Sequence, residues 1–294
     1  KRALIDIIEQ LNITEGLENV ISKLVNEKYI PEYFNTIQSR LGKLEKANLK
    51  ENIKSLIVGG GTDLYVQRED DLIADDPIFI SDTLKSKIWK DGNSIFISGS
   101  TTFEEFANSG IINAIIPNIK GTNKLIASLP IRNSATLAGN IVNASPIGDL
   151  TIILLSLNAV IHFKDRDKKR KIFLKDLFLE YKILDKLNNE IIESIQLLLP
   201  EKEALFNFEK VSKRTHLDIA SVNSSIMLNI ENDKIRSCGL SFGGVAPIPL
   251  FMKSTSAFFE GKELSEETLR DALKIIDKEI FPISDVRGSA DYKR

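Results

Sequence analysis

The sequence predicts an α+β fold, because helical spacing occurs near both ends of the chain and strand-like patterns lie between them. Apolar residues recur at three- and four-residue steps in residues 3–25 and again in residues 266–280, as they do along one face of a helix. Residues 204–211 and 221–231 alternate in the manner of half-buried strands. Residues 234–245 are expected to pair with these two in an antiparallel meander.

Composition sets the size of the core and excludes several classes of protein. With 294 residues, 43% of them hydrophobic, the chain can bury a core large enough for two domains or subdomains. A formal net charge of -2 argues against a nucleic-acid-binding protein. The single cysteine, Cys238, excludes a disulfide framework and an iron–sulfur cluster held by this chain alone. Having only His162 and His216, the chain also lacks the histidines for a histidine-rich metal site.

No apolar run in the sequence reaches the length of a transmembrane helix, and the first residues lack the layout of a signal peptide. We therefore expect a cytoplasmic protein with no membrane partner. The first 52 residues are predicted to be a helical lead-in rather than a catalytic unit. Their helical spacing breaks at Ile30-Pro31 and resumes from Tyr33, and residues 43–54 are charged and read as a solvated connector.

Three consecutive glycines follow the first strand-like segment. Residues 55–58 are predicted to form a short strand, Gly59-Gly60-Gly61-Thr62-Asp63 to turn, and residues 64–66 to resume the strand. Such a turn could direct backbone N–H groups at a diphosphate or could be a flexible hairpin turn, and the turn alone leaves both interpretations open. The glycine spacing of a nicotinamide-type Rossmann fold is missing, as is the Gly-Lys-Ser/Thr ending of a nucleotide phosphate loop.

Residues 127–149 are rich in Ser, Thr, Asn, Gly and Ala, and carry only two charged residues, Arg132 and Asp149. This composition offers hydroxyls, amides and accessible backbone instead of core volume. It suits a polar, phosphate-bearing ligand that lies close to the backbone. Asn133 and Asn143 could equally be turn residues, and Arg132 could be a structural ion-pair partner.

Further strands and helices are expected around these two loops. Residues 78–80, 94–98 and 190–200 read as strands, and residues 151–163 read as a helix followed by a strand. The basic residues 165–171 are interpreted as the solvated tip of a hairpin rather than a binding patch.

Several motifs occur in a fixed order along the chain. They lie at residues 59–64, 126–127, 132–140, 143–149, 208–214, 218–223, 240–247 and 284–290. Together they resemble the flavin-binding unit of the molybdenum hydroxylases, the family that includes xanthine dehydrogenase, aldehyde oxidase and carbon monoxide dehydrogenase. The resemblance implies an FAD-binding fold of the PCMH (vanillyl-alcohol oxidase-like) type, with two subdomains, over residues 53–202. A small α+β C-terminal flavoprotein domain, with a three-stranded antiparallel sheet and helices, would follow over residues 203–294.

The lead-in resembles one branch of this family. Lys1-Arg2-Ala3 is similar to the connector that follows an iron–sulfur domain, and residues 30–41 are similar to the small subunit of bacterial xanthine dehydrogenases. Residues 1–52 are therefore interpreted as a helical connector that follows an iron–sulfur domain missing from this chain. The single cysteine disfavours the hydroxybenzoyl-CoA reductase branch, whose flavin subunit carries an extra cluster.

The resemblance also assigns cofactor-binding residues to the two loops. In the first loop, backbone N–H groups would bind the FAD diphosphate, and Thr62 would add its hydroxyl. The residues concerned are Ile57, Val58, Gly59, Gly60, Gly61, Thr62, Asp63 and Leu64. In the second loop, Thr136, Gly139 and Asn140 would line the phosphate and ribityl site. Ala135 would let the backbone approach the cofactor closely.

Further contacts are implied on either side of the second loop. Asp149 would accept a hydrogen bond from the adenosine ribose, with Ser145 nearby. Ile126 and Ala127 would lie near the isoalloxazine ring.

Two residues outside the loops complete the implied site. Ile192 would cover the adenine. Lys210 would approach the polar edge of the isoalloxazine ring, where a cation favours the reduced, anionic flavin. Glu209 is the alternative occupant of that position. No catalytic side chain and no metal ligand is expected in this chain.

The activity implied by the resemblance is electron relay. Substrate would be oxidised at molybdopterin on a large subunit, electrons would pass through iron–sulfur clusters on another domain, and FAD would transfer them to NAD or another acceptor. A hetero-oligomer is therefore expected. The open alternatives are the flavin subunit of a related carbon monoxide or aldehyde dehydrogenase, an enolpyruvyl-group reductase of the same fold, and a flavin-free assembly scaffold.

Overall fold

A computed structural model of the chain describes four stretches, residues 17–43, 56–74, 77–200 and 204–294. The chain divides into two compact units, Lys1–Lys50 and Glu51–Arg294. Residues 3–16 of the helical region predicted over residues 3–25, and residues 44–54 of the connector predicted over residues 43–54, lie outside the described residues.

Within residues 17–43, the first unit contains three short helices: α1 (Leu17–Asn26), a 3-10 helix (Glu32–Thr36) and α2 (Ile37–Gly42). Pro31 stands immediately before the 3-10 helix with φ -63°, the value that its ring imposes and that suits the start of a helix. The predicted order of helix, proline break and helix is therefore confirmed within residues 17–43.

The second unit begins with the elements that carry the first glycine loop. They are β1 (Ile57–Val58), α3 (Leu64–Gln67), α4 (Glu69–Ala74), β2 (Ile78–Phe79) and α5 (Ile80–Thr83). The strands β1 and β2 pair in parallel. The prediction that residues 64–66 resume a strand is wrong, because the carbonyl of Asp63 accepts hydrogen bonds from the N–H groups of Val66 and Gln67. An apolar run of three residues is too short for its spacing to separate helix from strand.

Five further strands form one antiparallel sheet. They are β3 (Ile88–Asp91), β4 (Ser94–Ser98), β5 (Val160–Asp165), β6 (Lys168–Phe173) and β9 (Ile191–Leu198). Between β6 and β9 in the chain, β7 (Phe178–Glu180) and β8 (Ile183–Leu184) form a separate hairpin. Their order in the sheet is β3-β4-β9-β5-β6. Six helices lie between β4 and β5: α6 (Phe103–Asn108), α7 (Gly110–Asn113), α8 (Ile119–Asn123), α9 (Leu129–Ser134), α10 (Leu137–Asn143) and α11 (Asp149–Ser156). A 3-10 helix (Leu174–Asp176) precedes β7.

The main core includes buried side chains from this sheet and from the helices. Ile95, Ile97, Ile161 and Ile195 point inward from β4, β5 and β9 and are fully buried. Helix α11 is buried at every residue after its first, so it is covered on all sides. Such a helix needs a neighbour on each face, and the C-terminal sheet supplies one of them.

The C-terminal part contains β10 (Ala204–Val211), β11 (Val222–Glu231), β12 (Lys234–Gly243), β13 (Leu250–Phe251), α12 (Lys253–Phe259), α13 (Glu266–Glu279) and α14 (Ala290–Lys293). The three predicted strands are confirmed, but the sheet has four, because β13 pairs with Ser241 and Phe242 at the edge of β12. A two-residue strand is too short to show an alternating pattern. A second core, which includes Met252, Phe259 and Ala272, forms between this sheet and α12 and α13.

Helix α11 joins the two parts of this unit. The hydroxyl of Ser241 donates to the carbonyl of Ile152 at 2.7 Å, and the hydroxyls of Ser156 and Ser225 lie 2.7 Å apart. Gly239 lets β12 approach this closely, since a Cβ there would lie 1.9 Å from the carbonyl oxygen of Ser156. The α+β fold with antiparallel sheets is thus confirmed.

Candidate functional site

The first glycine loop connects β1 to α3 in a fixed conformation. Gly61 has φ +71°, in the left-handed region, and a Cβ there would lie 2.5 Å from the Tyr65 ring. The N–H of Tyr65 donates to the carbonyl of Gly61 at 2.9 Å, and Val58 before the loop is fully buried. Because the turn leads from a strand into a helix, the hairpin-turn interpretation is wrong.

The second loop packs directly on the first. A Cβ on Gly60 would lie 1.7 Å from the carbonyl oxygen of Ser134, and a Cβ on Gly59 would lie 2.5 Å from Thr136 Oγ1. No side chain tolerates the first of these distances, so the approach of the two backbones requires glycine at residue 60. The two loops therefore form one continuous backbone surface.

The first loop carries a run of backbone N–H groups. Within the described residues, the N–H groups of Gly59, Gly60, Gly61, Thr62 and Asp63 donate to no backbone carbonyl. Successive N–H groups at a turn of this kind make an anion-binding concavity. The half-buried Thr62 adds a hydroxyl at the same place. The first loop therefore fits a diphosphate.

Capping and side-chain hydrogen bonds hold the second loop in place. The Thr136 hydroxyl caps α10 by accepting from the N–H of Gly139 at 3.1 Å. The Asn140 Oδ1 accepts from the N–H and the hydroxyl of Thr151, at 3.1 and 2.8 Å, and thereby ties α10 to α11. The structure thus places Thr136 and Gly139 beside Gly59 of the first loop, while Asn140 faces Thr151 and Gly148, and Ala135 is buried.

Arg132 supports the turn that precedes α9. Its Nε lies 2.7 Å from Glu104 Oε2, and its Nη1 donates to the carbonyls of Ile126 and Ala127 at 3.3 and 3.0 Å. Ala127 has φ +49°, a left-handed conformation that is costly for a residue with a Cβ. Hydrogen bonding to Arg132 lowers the pKa of Glu104 below its ordinary value. Arg132 is therefore a structural ion-pair partner, as one of the sequence interpretations held.

Asp149 and Lys210 form an ion pair in the interior. Lys210 Nζ lies 2.8 Å from Asp149 Oδ2 and donates to the carbonyl of Leu125 at 2.9 Å. Asn223 Nδ2 donates to Asp149 Oδ1 at 2.6 Å. The side chain of Asp149 is 11% exposed and that of Lys210 is 3% exposed. Burial raises the pKa of Asp149 above its ordinary value, against the attraction of Lys210.

This ion pair corrects the predicted roles of its two members. In an extended FAD the adenosine ribose and the isoalloxazine ring lie at opposite ends, so side chains 2.8 Å apart cannot bind one each. A ribose role for Asp149 and a ring-edge role for Lys210 are therefore incompatible. Glu209, the alternative to Lys210, is exposed and accepts instead from Asn207 Nδ2 at 3.1 Å.

Burial also corrects several other predicted contacts. Ile192 is 1% exposed and belongs to the main core, so its side chain has no surface left to cover an adenine. Ile126, at 4% exposed, is a core residue as well. The side chain of Val58 is fully buried too, but the role predicted for Val58 belongs to its backbone N–H and stays a prediction. Of Ile126 and Ala127, only the half-buried Ala127 has side-chain surface that an isoalloxazine ring could contact. The Ser145 hydroxyl, also half-buried, accepts from the N–H of Ile147 at 3.4 Å.

The hairpin of β7 and β8 brings a cation that the sequence did not indicate. Lys182 Nζ donates to the backbone carbonyl of Asn143, and to Asn143 Oδ1 at 2.9 Å. The carboxylate of Asp63, in the first loop, attracts the same ammonium. Burial lowers the pKa of Lys182 below its ordinary value. A single lysine in a polar turn gives no pattern from which this contact could be predicted.

The other candidate side chains do not form a catalytic group. Burial raises the pKa of the Cys238 thiol to about 12, and His162 Nε2 lies 2.9 Å from Gln196 Oε1 within the five-stranded sheet. Among the residues that the structure describes, no cluster of His, Cys, Asp and Glu is placed to hold a metal ion. No helix in this part of the chain has the length and apolarity to cross a membrane.

Curated relatives cover the chain to different extents. The glyceraldehyde dehydrogenase medium chain of Sulfolobus acidocaldarius is 25% identical over 202 residues, which are 69% of this chain and 71% of that protein. Xanthine dehydrogenase 1 of Arabidopsis thaliana is 34% identical over 173 residues, 56% of this chain. The match spans only 12% of the length of that second protein.

Solved structures share the fold. The carbon monoxide dehydrogenase of Oligotropha carboxidovorans superposes with a TM-score of 0.74 over 81% of this chain and 84% of the compared chain. At 23% sequence identity, this likeness shows the fold alone.

Two family models match consecutive parts of the chain. Residues 208–294 match the CO dehydrogenase flavoprotein C-terminal domain. Residues 36–200, more than half of the chain, match the FAD binding domain in molybdopterin dehydrogenase. The chain therefore belongs to the family of FAD-binding domains of the molybdopterin dehydrogenases.

Proposed function

We propose that this chain is the FAD-carrying subunit of a molybdenum hydroxylase of the medium-chain type, and that it relays electrons. The observation that carries the proposal is the run of N–H groups from Gly59 to Asp63 that donate to no backbone carbonyl within the described residues. These donors lie on a surface that two backbones build by close contact. Successive backbone N–H groups of this kind favour an anion, and the diphosphate of a dinucleotide supplies the negative oxygens.

The residues of the chain would position the cofactor rather than react. Bound FAD supplies the two-electron redox chemistry. The N–H groups of the first loop and the Thr62 hydroxyl bind the diphosphate, and the half-buried Gly139 and Asn140 bound the same surface from the second loop. The buried pair of Asp149 and Lys210 provides a fixed dipole beneath the second loop. No general acid or base is needed for this role.

Coverage supports the medium-chain type over the small subunit of a xanthine dehydrogenase. The glyceraldehyde dehydrogenase medium chain aligns over similar shares of both proteins, 69% and 71%. The C-terminal match to a CO dehydrogenase flavoprotein domain points the same way. In this arrangement the iron–sulfur clusters and the molybdopterin lie on two other subunits of a hetero-oligomer. The electron acceptor is NAD or another oxidant, and the complex works in the cytoplasm.

The xanthine dehydrogenase type is the second candidate. The higher identity to a xanthine dehydrogenase, 34%, favours it. In that arrangement residues 1–52 form the connector after an iron–sulfur domain of the same polypeptide, the flavin domain covers residues 53–202, and residues 203–294 form the C-terminal flavoprotein domain.

Flavin titration tests the proposal directly. The purified chain is mixed with FAD, passed through a desalting column, and examined for the absorbance bands of protein-bound flavin. One FAD retained per chain is the expected result. A protein fraction without flavin bands would show that the chain is a flavin-free scaffold.

Separating the chains of the native complex tests which type it is. The complex is purified from source cells and its chains are resolved under denaturing conditions and sequenced by mass spectrometry. An iron–sulfur protein on a chain of its own supports the medium-chain type. Cluster-binding cysteines on the same polypeptide as Gly59 would instead establish the second candidate.

A further inference from the structure

The hairpin of β7 and β8 is anchored at its base and exposed at its tip. Phe178 at the base is 6% exposed and belongs to the main core, and the N–H of Asp185 donates to the carbonyl of Leu177 at 2.9 Å. Tyr181 and Ile183, beside the tip, are 61% and 51% exposed. Core contacts therefore fix where the hairpin starts, whereas its tip needs some other contact to stay in place.

Lys182 supplies that contact to the second loop. Its ammonium binds two oxygens of Asn143, the last residue of α10. The carbonyls at the end of a helix carry partial negative charge, so a cation is favoured there. Lys182 itself has φ +61°, a costly left-handed conformation for a residue with a Cβ, which the contact helps to maintain.

The same ammonium is attracted by the first loop. Burial lowers the pKa of Lys182, and the negative charge of Asp63 partly offsets this by raising it. Asp63 carries the last of the N–H groups that we assign to the diphosphate, and Asn143 ends the helix that Thr136 caps. One side chain from a third segment thus contacts the second cofactor loop and is attracted by a charge on the first.

We infer that Lys182 is a positioning residue that fastens the hairpin across both loops and slows the release of FAD. This inference rests on the proposed function. It goes beyond capping of α10, because a cap would stabilise that helix whether or not cofactor is present. A fastened hairpin instead acts on the rate at which bound cofactor leaves.

The test compares Lys182→Ala with the matched variant Lys186→Ala. Lys186 lies in the same segment and burial also lowers its pKa, but its ammonium donates to the carbonyl of Leu187 and is attracted by Glu190. The rate of FAD release from the loaded chain is followed by the rise of free FAD fluorescence after dilution. We expect release about 10-fold faster from Lys182→Ala. Lys186→Ala should release FAD at the wild-type rate, and Lys182→Arg should restore slow release.

The thermal midpoint of the FAD-free chain separates positioning from capping. The contact is present without cofactor, so Lys182→Ala should lower the FAD-free midpoint, but only slightly, because Lys182 is exposed. Equal release rates in the two alanine variants would overturn the positioning role of Lys182. A drop in the FAD-free midpoint that accounts for the faster release would do so too, because Lys182 would then be only a helix cap. A wild-type chain that retains no FAD would refute the proposed function itself.

Discussion

The ammonium of Lys210 lies 2.8 Å from the carboxylate of Asp149 in a part of the molecule that water barely reaches. Asp149 is the first residue of α11, Lys210 belongs to β10, and Asn223 of β11 donates to the same carboxylate. One carboxylate therefore connects the second cofactor loop to two strands of the C-terminal sheet. Since a buried charge without its partner is costly, the stability of this junction depends on both members.

Lys210→Met should destabilise the chain in a pH-dependent way. At pH 7.5 the loss should be about 3 kcal/mol, because a buried carboxylate loses its cation. Burial already raises the pKa of Asp149 in the folded state above the unfolded value of about 3.9. The folded variant thus takes up a proton more readily than the unfolded chain, so the loss should shrink as pH falls through the raised pKa. Urea unfolding of variant and wild type at pH 5 and pH 7.5 measures this.

The double variant Asp149→Asn/Lys210→Met provides the control for that experiment. It removes both charges, so its loss should be smaller than the sum of the two single losses and should not depend on pH over this range. An equal loss for Lys210→Met at both pH values would show that Asp149 is not the group that titrates.

Glu104→Gln should lower the stability of the folded chain at neutral pH and leave it unchanged in acid. Arg132 lowers the pKa of Glu104 in the folded state. The pair therefore stabilises the chain fully above the unfolded pKa of about 4.3, and this contribution is lost as pH falls through the lower folded value. With side chains 11% and 26% exposed, about 1 kcal/mol is expected at pH 7. Thermal midpoints of variant and wild type at pH 7 should differ, and those at pH 3 should converge.

Gly60→Ala should abolish tight FAD binding while leaving the chain folded. The added Cβ would lie 1.7 Å from the carbonyl oxygen of Ser134, so the two loops must separate. We expect FAD affinity to fall by at least about 100-fold, or about 2.7 kcal/mol. Gly110→Ala is the matched control, because nothing lies within 4 Å of the Cβ it adds. Fluorescence titration with FAD compares the two variants, and wild-type affinity in Gly60→Ala would refute the assigned loop contact.

Long sequence patterns predicted the fold well, and short ones did not. The alternation along β10 and β11 spans eight and ten residues, which is enough to identify strands. The two residues of β13 and the four of α3 are fixed by tertiary contacts, so no local pattern shows them. Gly59, Gly60 and Gly61 could be recognised as a tight turn, but only the structure shows that Ser134 and Thr136 are what the glycines accommodate.

Side-chain pairing across the chain was the part of the site that sequence could not supply. Lys210 follows Asp149 by 61 residues and Lys182 follows Asn143 by 39, and neither separation implies contact. Motif resemblance names residues near a cofactor without giving distances between them, which is why it assigned Asp149 and Lys210 to opposite ends of FAD. Ile192 shows the related difficulty, because an apolar residue beside a motif reads the same whether it faces a ligand or the core.

Cys238 should resist thiol reagents until the C-terminal core opens. Burial raises its pKa to about 12, so at pH 8 only about one thiol in ten thousand is ionised, and the thiolate is the reactive form. Cys238 lies in the second core, on the face of β12 opposite α11, and Ser256 of α12 is its hydrogen-bond partner, so its exposure requires α12 or α13 to move away from β12. Labelling with a chromogenic disulfide at pH 8 should therefore be slow in the native chain and fast in urea. Lys210→Met acts on the opposite face of this sheet, so it should accelerate labelling only as far as it lowers the free energy of unfolding of the whole chain. Rapid labelling of the native wild type would show that the second core opens without unfolding of the chain.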